Sequence, residues 1–195
     1  MLAIKITIDE RSIKEAAFIL RAVPRAVPRV LSRAINRAID MSATDMKRRV
    51  GEEIAIKKSE IAKGISKKPA TSVNLTGFVG AKAYRPGLLE FPGTRQTKRG
   101  VSYRVSQMAG RKAIEHGFFA TMKSGHRGVF IRKGSFEEKP GPPRLPIREA
   151  RGPSIWKIIT DTAGLLQAVT DAAGDRMGRL ISDQIGVEFR RWQNQ

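Results

Sequence analysis

The segment RVLSRAINRAIDMSATDMKRRV, residues 29–50, has the pattern of one long amphipathic helix. Its apolar residues recur mostly at three- and four-residue spacing, which places them on one face of a helix. They are Val30, Ala34, Ile35, Ala38, Ile39, Met46 and Val50. Gly51 follows directly, and glycine is common at helix ends. The sequence therefore predicts a long helix over residues 29–50 that buries one apolar face.

The chain before this helix contains signals for a strand and for a shorter helix. Isoleucines alternate with polar residues over positions 4–8, which is the period of a half-buried strand. Ser12 and Glu15 have the spacing of a capping box, which predicts a helix that starts there. Pro24 and Pro28 lack an amide hydrogen, so we expect this helix to end or kink near Val23. The next helix should begin with a proline in its first turn.

The middle of the chain changes from a helical to a β-rich pattern. Residues 52–69 predict one short helix with basic flanks. Over residues 70–152, glycine and proline become frequent and the apolar runs shorten to the length of strands. The predicted strands span 73–79 and 101–105, the predicted hairpin spans 118–132 around a Ser124-Gly125 turn, and a long loop is predicted at 85–100.

The last part of the chain predicts a helix with a break. Prolines over 137–146 predict a linker or an exposed edge, and Ser154 is a candidate helix cap. Apolar residues follow at helical spacing over 155–169. Gly174 and Gly178 each cost about 1 kcal/mol relative to alanine inside a helix, so we expect a kink or break near them. The apolar stripe of this helix is either core of the chain itself or a contact with another subunit.

Together these elements predict an α+β fold. Long N-terminal amphipathic helices and a C-terminal helix are expected to pack on a small, mainly antiparallel β-sheet. A chain of 195 residues suits one domain over residues 1–195. Its predicted parts are a mainly helical part at 1–69, a β-rich part at 70–152 and a helical part at 153–195.

The chain carries a large positive charge, because 37 Lys and Arg residues stand against 18 Asp and Glu, a formal charge of +19. Each of the first three 50-residue segments has an excess of six positive charges, whereas residues 151–195 have an excess of one. Such a charge implies a polyanion or an acidic surface as the partner. No long uncharged apolar run and no signal-peptide pattern is visible, so we expect no contact with a membrane.

Five arginines recur at four-residue intervals across the start of the long helix. We call them the arginine row: Arg21, Arg25, Arg29, Arg33 and Arg37. Each step of four residues turns about 40° around a helix axis, so a continuous helix would present them as a ridge. Such a ridge can track phosphates, and the alternative is a solvated face paired with acidic groups of a neighbouring subunit. The row is therefore predicted to face DNA or a partner protein.

Three further cations lie in the predicted loop at 85–100. Arg95, Lys98 and Arg99 are predicted to touch a backbone phosphate or an acidic partner, and the alternative is a mobile, solvated loop tip. The aromatic residues are too few and too scattered to predict a stacking platform for single strands.

We predict that the chain is not an enzyme and has no catalytic, cofactor-binding or metal-ligating residues. The chain has no cysteine, and His116 and His126 lack a ligand spacing. His126 lies in a glycine-flanked turn with no nucleophile motif or orienting carboxylate beside it in sequence. Glu137 and Glu138 are adjacent and do not form the opposed pair of a glycosidase. Phosphate-binding glycine loops are not present.

Three segments resemble the phage minor tail protein Z family, the tail completion proteins of long-tailed phages. They are AINRA at 34–38, FFATMKSGHRGVF at 118–130 and LPIREARGPS at 145–154. The resemblance spans most of the chain and carries no enzymatic residue. It implies a noncatalytic structural virion protein that completes the tail at its head-proximal end and permits head–tail joining.

The resemblance also implies partners and a location. The expected partners are tail terminator, tail tube and head–tail connector proteins, with assembly as a homo-oligomeric ring. The expected location is the virion tail, and the host cytoplasm during assembly. The positive charge adds nonspecific contact with packaged DNA. The alternative is a free nonspecific nucleic-acid-binding protein that uses the basic N-terminal helix.

Overall fold

The computed structural model describes residues 2–21, 24–132 and 147–193. Its contacts separate the chain into two compact units. The first unit comprises Met1–Arg48, Ile65–Lys82 and Ile159–Gln195, and the second comprises Arg49–Gly64 and Ala83–Ile158. The assignment of residues 1–195 to a single domain stays a prediction, and so does the linker at 137–146, which lies outside the described residues.

The first unit contains a three-stranded antiparallel sheet. Its strands are β1 (Leu2–Thr7), β2 (Ile65–Lys68) and β3 (Thr76–Ala81), in the order β1-β3-β2. Ile4 pairs with Val79, and both side chains are buried, as the predicted alternation in β1 requires.

The strand predicted from residue 73 begins later, at Thr76. Residues 71–74 form a turn instead, in which the amide of Thr71 donates to the carbonyl of Asn74 at 2.9 Å. The amide of Asn74 donates to Thr71 Oγ1 at 3.0 Å, and the side chain of Val73 is 98% exposed. The polar side chains that close this turn outweigh the strand preference of the valine.

The first helix, α1 (Glu10–Ile19), starts three residues earlier than the capping box predicts. Its cap is Asp9, whose carboxylate accepts hydrogen bonds from the amide of Ser12 at 3.1 Å and from Ser12 Oγ at 2.6 Å. Ser12 is therefore not the cap of the helix. It donates hydrogen bonds to the cap, Asp9, whose carboxylate accepts from the amide of Ser12.

The long helix, α2 (Val27–Glu53), is confirmed and has Pro28 in its first turn after a short 3-10 turn at Pro24–Ala26. It continues two residues past Gly51, the predicted stop. The helix passes close to β3, because a methyl group on Gly77 would lie 2.4 Å from Ile39 Cδ1 and 3.2 Å from Ile35 Cγ2. Glycine at this position therefore permits the close approach of helix and sheet.

Three more helices complete the helical part. They are α3 (Lys58–Lys63), α4 (Ile155–Asp161) and α5 (Leu165–Gln193). Ser154 Oγ accepts from the amide of Lys157 at 3.2 Å, which confirms the predicted cap. The break lies at Gly164, with φ +71°, and not near Gly174 or Gly178, through which α5 runs without interruption. A left-handed glycine separates two helices, whereas a right-handed glycine only weakens one.

The second unit contains two more antiparallel sheets of three strands. One has the order β4 (Arg95–Thr97), β5 (Gly100–Tyr103), β6 (Lys112–Glu115). The other comprises β7 (Phe118–Thr121), β8 (Arg127–Arg132) and β9 (Ile147–Glu149), and its β7–β8 pair is the predicted hairpin. The α+β class is thus confirmed, and the described residues form three small sheets where a single sheet was predicted.

The segment predicted as a long loop at 85–100 is partly regular. It contains a 3-10 turn at Leu88–Glu90 and the strand β4. Leu88 and Phe91 are buried in the core of the second unit, so the segment is anchored by apolar side chains. The core residues that pack against Leu88 and Phe91 lie far along the chain, so the local sequence does not show these contacts. The frequent glycines and prolines therefore predicted a loop. None of the described helices is both long and apolar enough to cross a membrane.

Candidate functional site

The arginine row is helical over only three of its five members. Arg29, Arg33 and Arg37 lie in α2, whereas Arg25 lies in the 3-10 turn and Arg21 follows α1. The guanidinium of Arg21 lies 5.4 Å from the centre of the Phe18 ring, a cation–π distance. The row is therefore not the continuous ridge that the four-residue interval predicts.

A buried carboxylate holds the middle of the row. Glu188 of α5 is only 7% exposed, and its Oε1 accepts a hydrogen bond from Arg29 Nη2. Its Oε2 accepts from Arg33 Nη1 at 3.1 Å. The side chains of the two arginines remain 50% and 36% exposed. A buried carboxylate requires such partners, because burying it alone is costly.

The last arginine of the row lies beside two carboxylates. Arg37 lines a small concavity of about 270 Å³ together with Asp40 and Asp45. Lys67 Nζ lies 2.7 Å from an oxygen of Asp40, and Arg176 Nη1 lies 2.6 Å from an oxygen of Asp45. The surroundings of Arg37 are therefore of mixed charge, which weakens the attraction for a polyanion.

These contacts divide the arginine row. Arg29 and Arg33 are paired within the chain, so the acidic partners expected from a neighbouring subunit are here supplied by Glu188. That the row faces DNA or a partner protein stays a prediction. Sequence reasoning missed Glu188, because it lies more than 150 residues away and no local pattern links it to the row.

The apolar stripe of the C-terminal helix is core of the chain itself. Of the predicted stripe, Leu165, Val169, Leu180, Ile181 and Ile185 are buried in α5, whereas Leu166 and Phe189 are half-buried.

The second basic surface is the hairpin tip, which we define as Lys98 and Arg99. These two exposed residues connect β4 to β5, where Thr97 pairs with Gly100. The backbone around them is held in place. The amide of His116 donates to the carbonyl of Arg99 at 3.0 Å, and the carbonyl of Gly100 accepts from Thr97 Oγ1 at 3.0 Å. The tip is therefore a two-residue turn whose backbone is hydrogen-bonded on both sides, and its mobility stays a prediction.

The hairpin tip borders a groove of about 650 Å³ in the second unit. Its lining residues are Gln96, Lys98, Arg99, Gly100, Glu115, His116, Gly117, Phe118 and Arg132. The guanidinium of Arg132 lies 5.2 Å from the centre of the Phe118 ring. His116 has a φ of +56°, in the left-handed region that histidine tolerates better than most residues. We call this concavity the basic groove.

Arg95, the remaining predicted site residue, is exposed on β4 opposite Ser102 and does not line the basic groove. Arg132 and Phe118 do line it, although sequence reasoning did not select them. The signal that was present is the alternation of the predicted hairpin, which assigns both residues to paired strands. The alternation in the sequence did not show that this hairpin lies next to β4 and β5.

Gln96 is the side chain that joins the two sheets beside the basic groove. Its Nε2 donates to the carbonyls of Gly100 and Gly117, each at 3.1 Å, and its Oε1 accepts from the amide of Phe119 at 3.0 Å. The carboxamide thus satisfies both its donor and its acceptor capacity with backbone groups. This fixes one wall of the groove relative to the other.

A histidine–carboxylate–arginine cluster lies elsewhere in the second unit. His126 Nε2 lies 3.0 Å from Glu149 Oε1, and Arg151 Nη2 lies 2.7 Å from Glu149 Oε2. Glu149 is thus the carboxylate that sequence reasoning did not place beside His126. Burial raises the pKa of Glu149, but the hydrogen bonds from Arg151 and His126 outweigh it and hold the pKa below its ordinary value. In the described parts of the chain, no hydroxyl is hydrogen-bonded to His126, so the geometry supplies no nucleophile.

Glu60 forms a second buried polar cluster. It accepts hydrogen bonds from Lys63 Nζ and from the Tyr84 hydroxyl, the latter at 2.7 Å. The hydrogen bond from Lys63 and then that from Tyr84 lower the pKa of Glu60. Burial and the bond to Glu60 raise the pKa of Tyr84. The cluster ties α3 to the chain that follows β3, which is a structural task.

Among residues 2–21, 24–132 and 147–193, no group of three or more histidine or acidic side chains could hold a metal ion. A further concavity of about 350 Å³ has Arg85 and Arg151 in its lining, but both already bind the chain. Arg85 Nε donates to the carbonyl of Gly152 at 3.0 Å, and Arg151 pairs with Glu149. Comparison with protein-family models, curated proteins and solved structures found no match to this chain.

Proposed function

We propose that the chain is a noncatalytic structural protein of a long-tailed phage that completes the tail and permits head–tail joining. It acts at the head-proximal end of the tail, as a homo-oligomeric ring that contacts tail terminator, tail tube and connector proteins. Its basic surfaces lie near the path of the packaged DNA.

The resemblance of three segments to the minor tail protein Z family carries this proposal. AINRA at 34–38 belongs to α2, and FFATMKSGHRGVF at 118–130 covers β7, its turn and most of β8. The part of the third segment that the structure describes runs from β9 to the cap of α4. All three are framework elements, so the shared features concern shape and assembly.

The charge of the chain supports a position near DNA. The formal charge is +19, and exposed cations occur in both units, at Arg25 in the first and at the hairpin tip in the second. A surface of this sign attracts a polyanion through long-range electrostatics, without reading its base sequence.

Deletion of the coding sequence from the phage genome tests the proposal. We expect electron micrographs of the lysate to show filled heads and separate tails, because tails without this protein cannot join heads. Supplying the wild-type chain from a plasmid is the control and should restore joined particles. Normal numbers of infectious particles without the chain would contradict the proposal.

The basic groove favours a second candidate, a free nonspecific nucleic-acid-binding protein. A salt titration of duplex binding by the isolated monomer separates the two. Submicromolar binding that survives physiological salt supports the free binding protein. Weak binding that salt fully suppresses supports action within an assembly, where many copies add their contacts.

A further inference from the structure

We infer that the basic groove is the surface that binds DNA, through the phosphodiester backbone, in place of Arg29 and Arg33 of the arginine row. This inference rests on the proposed function, since it names the residues that contact the DNA in that function. It differs from the sequence prediction, in which the arginine row carries the main contact. The groove lies wholly within the second unit.

The first argument is the balance of charge in the groove lining. In the part of the chain that the structure describes, Lys98, Arg99 and Arg132 pair with no carboxylate, and Glu115 is the one acidic residue that lines the groove. In the arginine row, by contrast, Arg29 and Arg33 already share Glu188. A phosphate gains most from cations whose charge is not already compensated.

The second argument is that the cations of the groove are held in position before anything binds. The hairpin tip is a two-residue connection, and its backbone bonds to Thr97 and His116 keep it closed. Gly100 is packed so tightly that a methyl group there would lie 2.0 Å from the carbonyl oxygen of Ile114. Arg132 is held against the Phe118 ring. Binding therefore orders fewer side chains and loses less conformational entropy.

The third argument concerns the kind of anion. Arginine binds phosphate oxygens with a planar fork of donors, and lysine adds a point charge. Among the described lining residues, Phe118 is the one large apolar side chain, whereas protein-docking grooves rely on several buried apolar anchors. A volume of about 650 Å³ lies within the range of small-ligand sites. DNA also has about one charge per 1.7 Å, which a chain of +19 attracts strongly.

The experiment compares duplex binding by matched variants of the full chain. One variant is Lys98→Ala with Arg99→Ala. Its control is Arg104→Ala with Lys123→Ala, which also removes two positive charges, but outside the groove. Fluorescence anisotropy of a labelled short duplex is recorded over a range of salt concentrations. Arg132→Gln approaches the same groove from β8 and gives an independent measure.

We expect the groove double variant to bind duplex about tenfold more weakly, and the slope of log K against log salt to fall by about 0.9 for each phosphate that is no longer neutralised. The control should change affinity less than about twofold. Equal reductions in affinity for both double variants would overturn the inference, because binding would then follow total charge. Poly-glutamate binding with the same dependence on the groove would overturn it too, in favour of an acidic protein.

The fold and the proposed function are checked separately. All substituted side chains at the hairpin tip are exposed, and thermal unfolding of each variant reports whether it folds as the wild type does. If the groove variants bind DNA as strongly as the wild type, the basic groove is not the DNA-binding surface. That result does not affect the proposal of tail completion. Failure of the deletion experiment rejects tail completion, whatever the duplex measurements show.

Discussion

Glu188 decides, at the scale of single residues, which arginines of the row are available to a partner. Its carboxylate is buried and binds Arg29 and Arg33, and Arg191 of the same helix lies 3.8 Å away. Since the arginines stay partly exposed, they can lose this partner and become hydrated. The cost of removing Glu188 is therefore smaller than for a fully buried pair.

We expect Glu188→Ala to lower the free energy of unfolding by about 1–2 kcal/mol, because two charge-assisted hydrogen bonds are removed. Urea unfolding measures this change. Glu10→Ala is the matched control, since its carboxylate is 80% exposed and pairs with Lys14 on the surface of α1. That control should cost less than about 0.5 kcal/mol. Equal destabilisation of both variants would show that Glu188 does not hold α5 to α2.

Tyr84 stabilises the charged form of Glu60, so its removal is expected to have a pH-dependent effect. The folded protein holds the pKa of Glu60 below 4.5, and its stabilising contribution is present above that value and disappears as the pH falls through the lowered pKa. Tyr84→Phe should therefore be less stable than the wild type at neutral pH. The difference should narrow as the carboxyl is protonated.

Thermal unfolding of the wild type and of Tyr84→Phe across the acidic range measures that difference, and NMR titration follows the carboxyl of Glu60 directly. In the variant its pKa should move up toward 4.5, with Lys63 still bound. Tyr103→Phe removes a hydroxyl elsewhere in the second unit and should leave the titration of Glu60 unchanged. A pKa of Glu60 that does not respond to Tyr84→Phe would contradict the assigned hydrogen bond.

At the scale of elements, two of the three glycines inside α5, Gly174 and Gly178, have no neighbour that requires a glycine. A methyl group added to Gly174 or Gly178 meets no described atom within 4 Å. Gly174→Ala and Gly178→Ala should each raise the free energy of unfolding by about 1 kcal/mol. Gly77→Ala is the opposing control, because its methyl group would collide with Ile39 and should destabilise the protein. Destabilisation by alanine at Gly174 or Gly178 in urea unfolding would contradict the open space beside these positions.

The elements that sequence predicted correctly are those fixed by local chemistry. The isoleucine alternation predicted β1, Pro28 predicted the first turn of α2, and Ser154 predicted the cap of α4. The features that were missed depend on residues far apart. β9 exists only through its pairing with β8, and Leu88 and Phe91 become core only when the two sheets of the second unit come together.

The candidate site shows the same division. Lys98 and Arg99 could be selected because their charge is visible in the sequence. Arg132 and Phe118 could not, since their relation to the hairpin tip depends on how β7 and β8 pack beside β5. The alternation along a strand shows which of its side chains share a face. It does not show which other strand lies beside that strand.

At the scale of the whole molecule, the formal charge of +19 affects stability as well as binding, because like charges repel one another in the compact state. Added sodium chloride shortens the Debye length to about 10 Å at 0.1 M, so we expect Tm to rise with salt. Arg104→Glu with Lys123→Glu reverses the charge of two exposed side chains. It should raise Tm at low salt and reduce the further rise of Tm when salt is added. Arg104→Gln with Lys123→Gln is the intermediate control. A Tm that falls with salt would mean that attractive pairs such as Arg33 with Glu188 outweigh the repulsion, and the excess charge would then matter for partners alone.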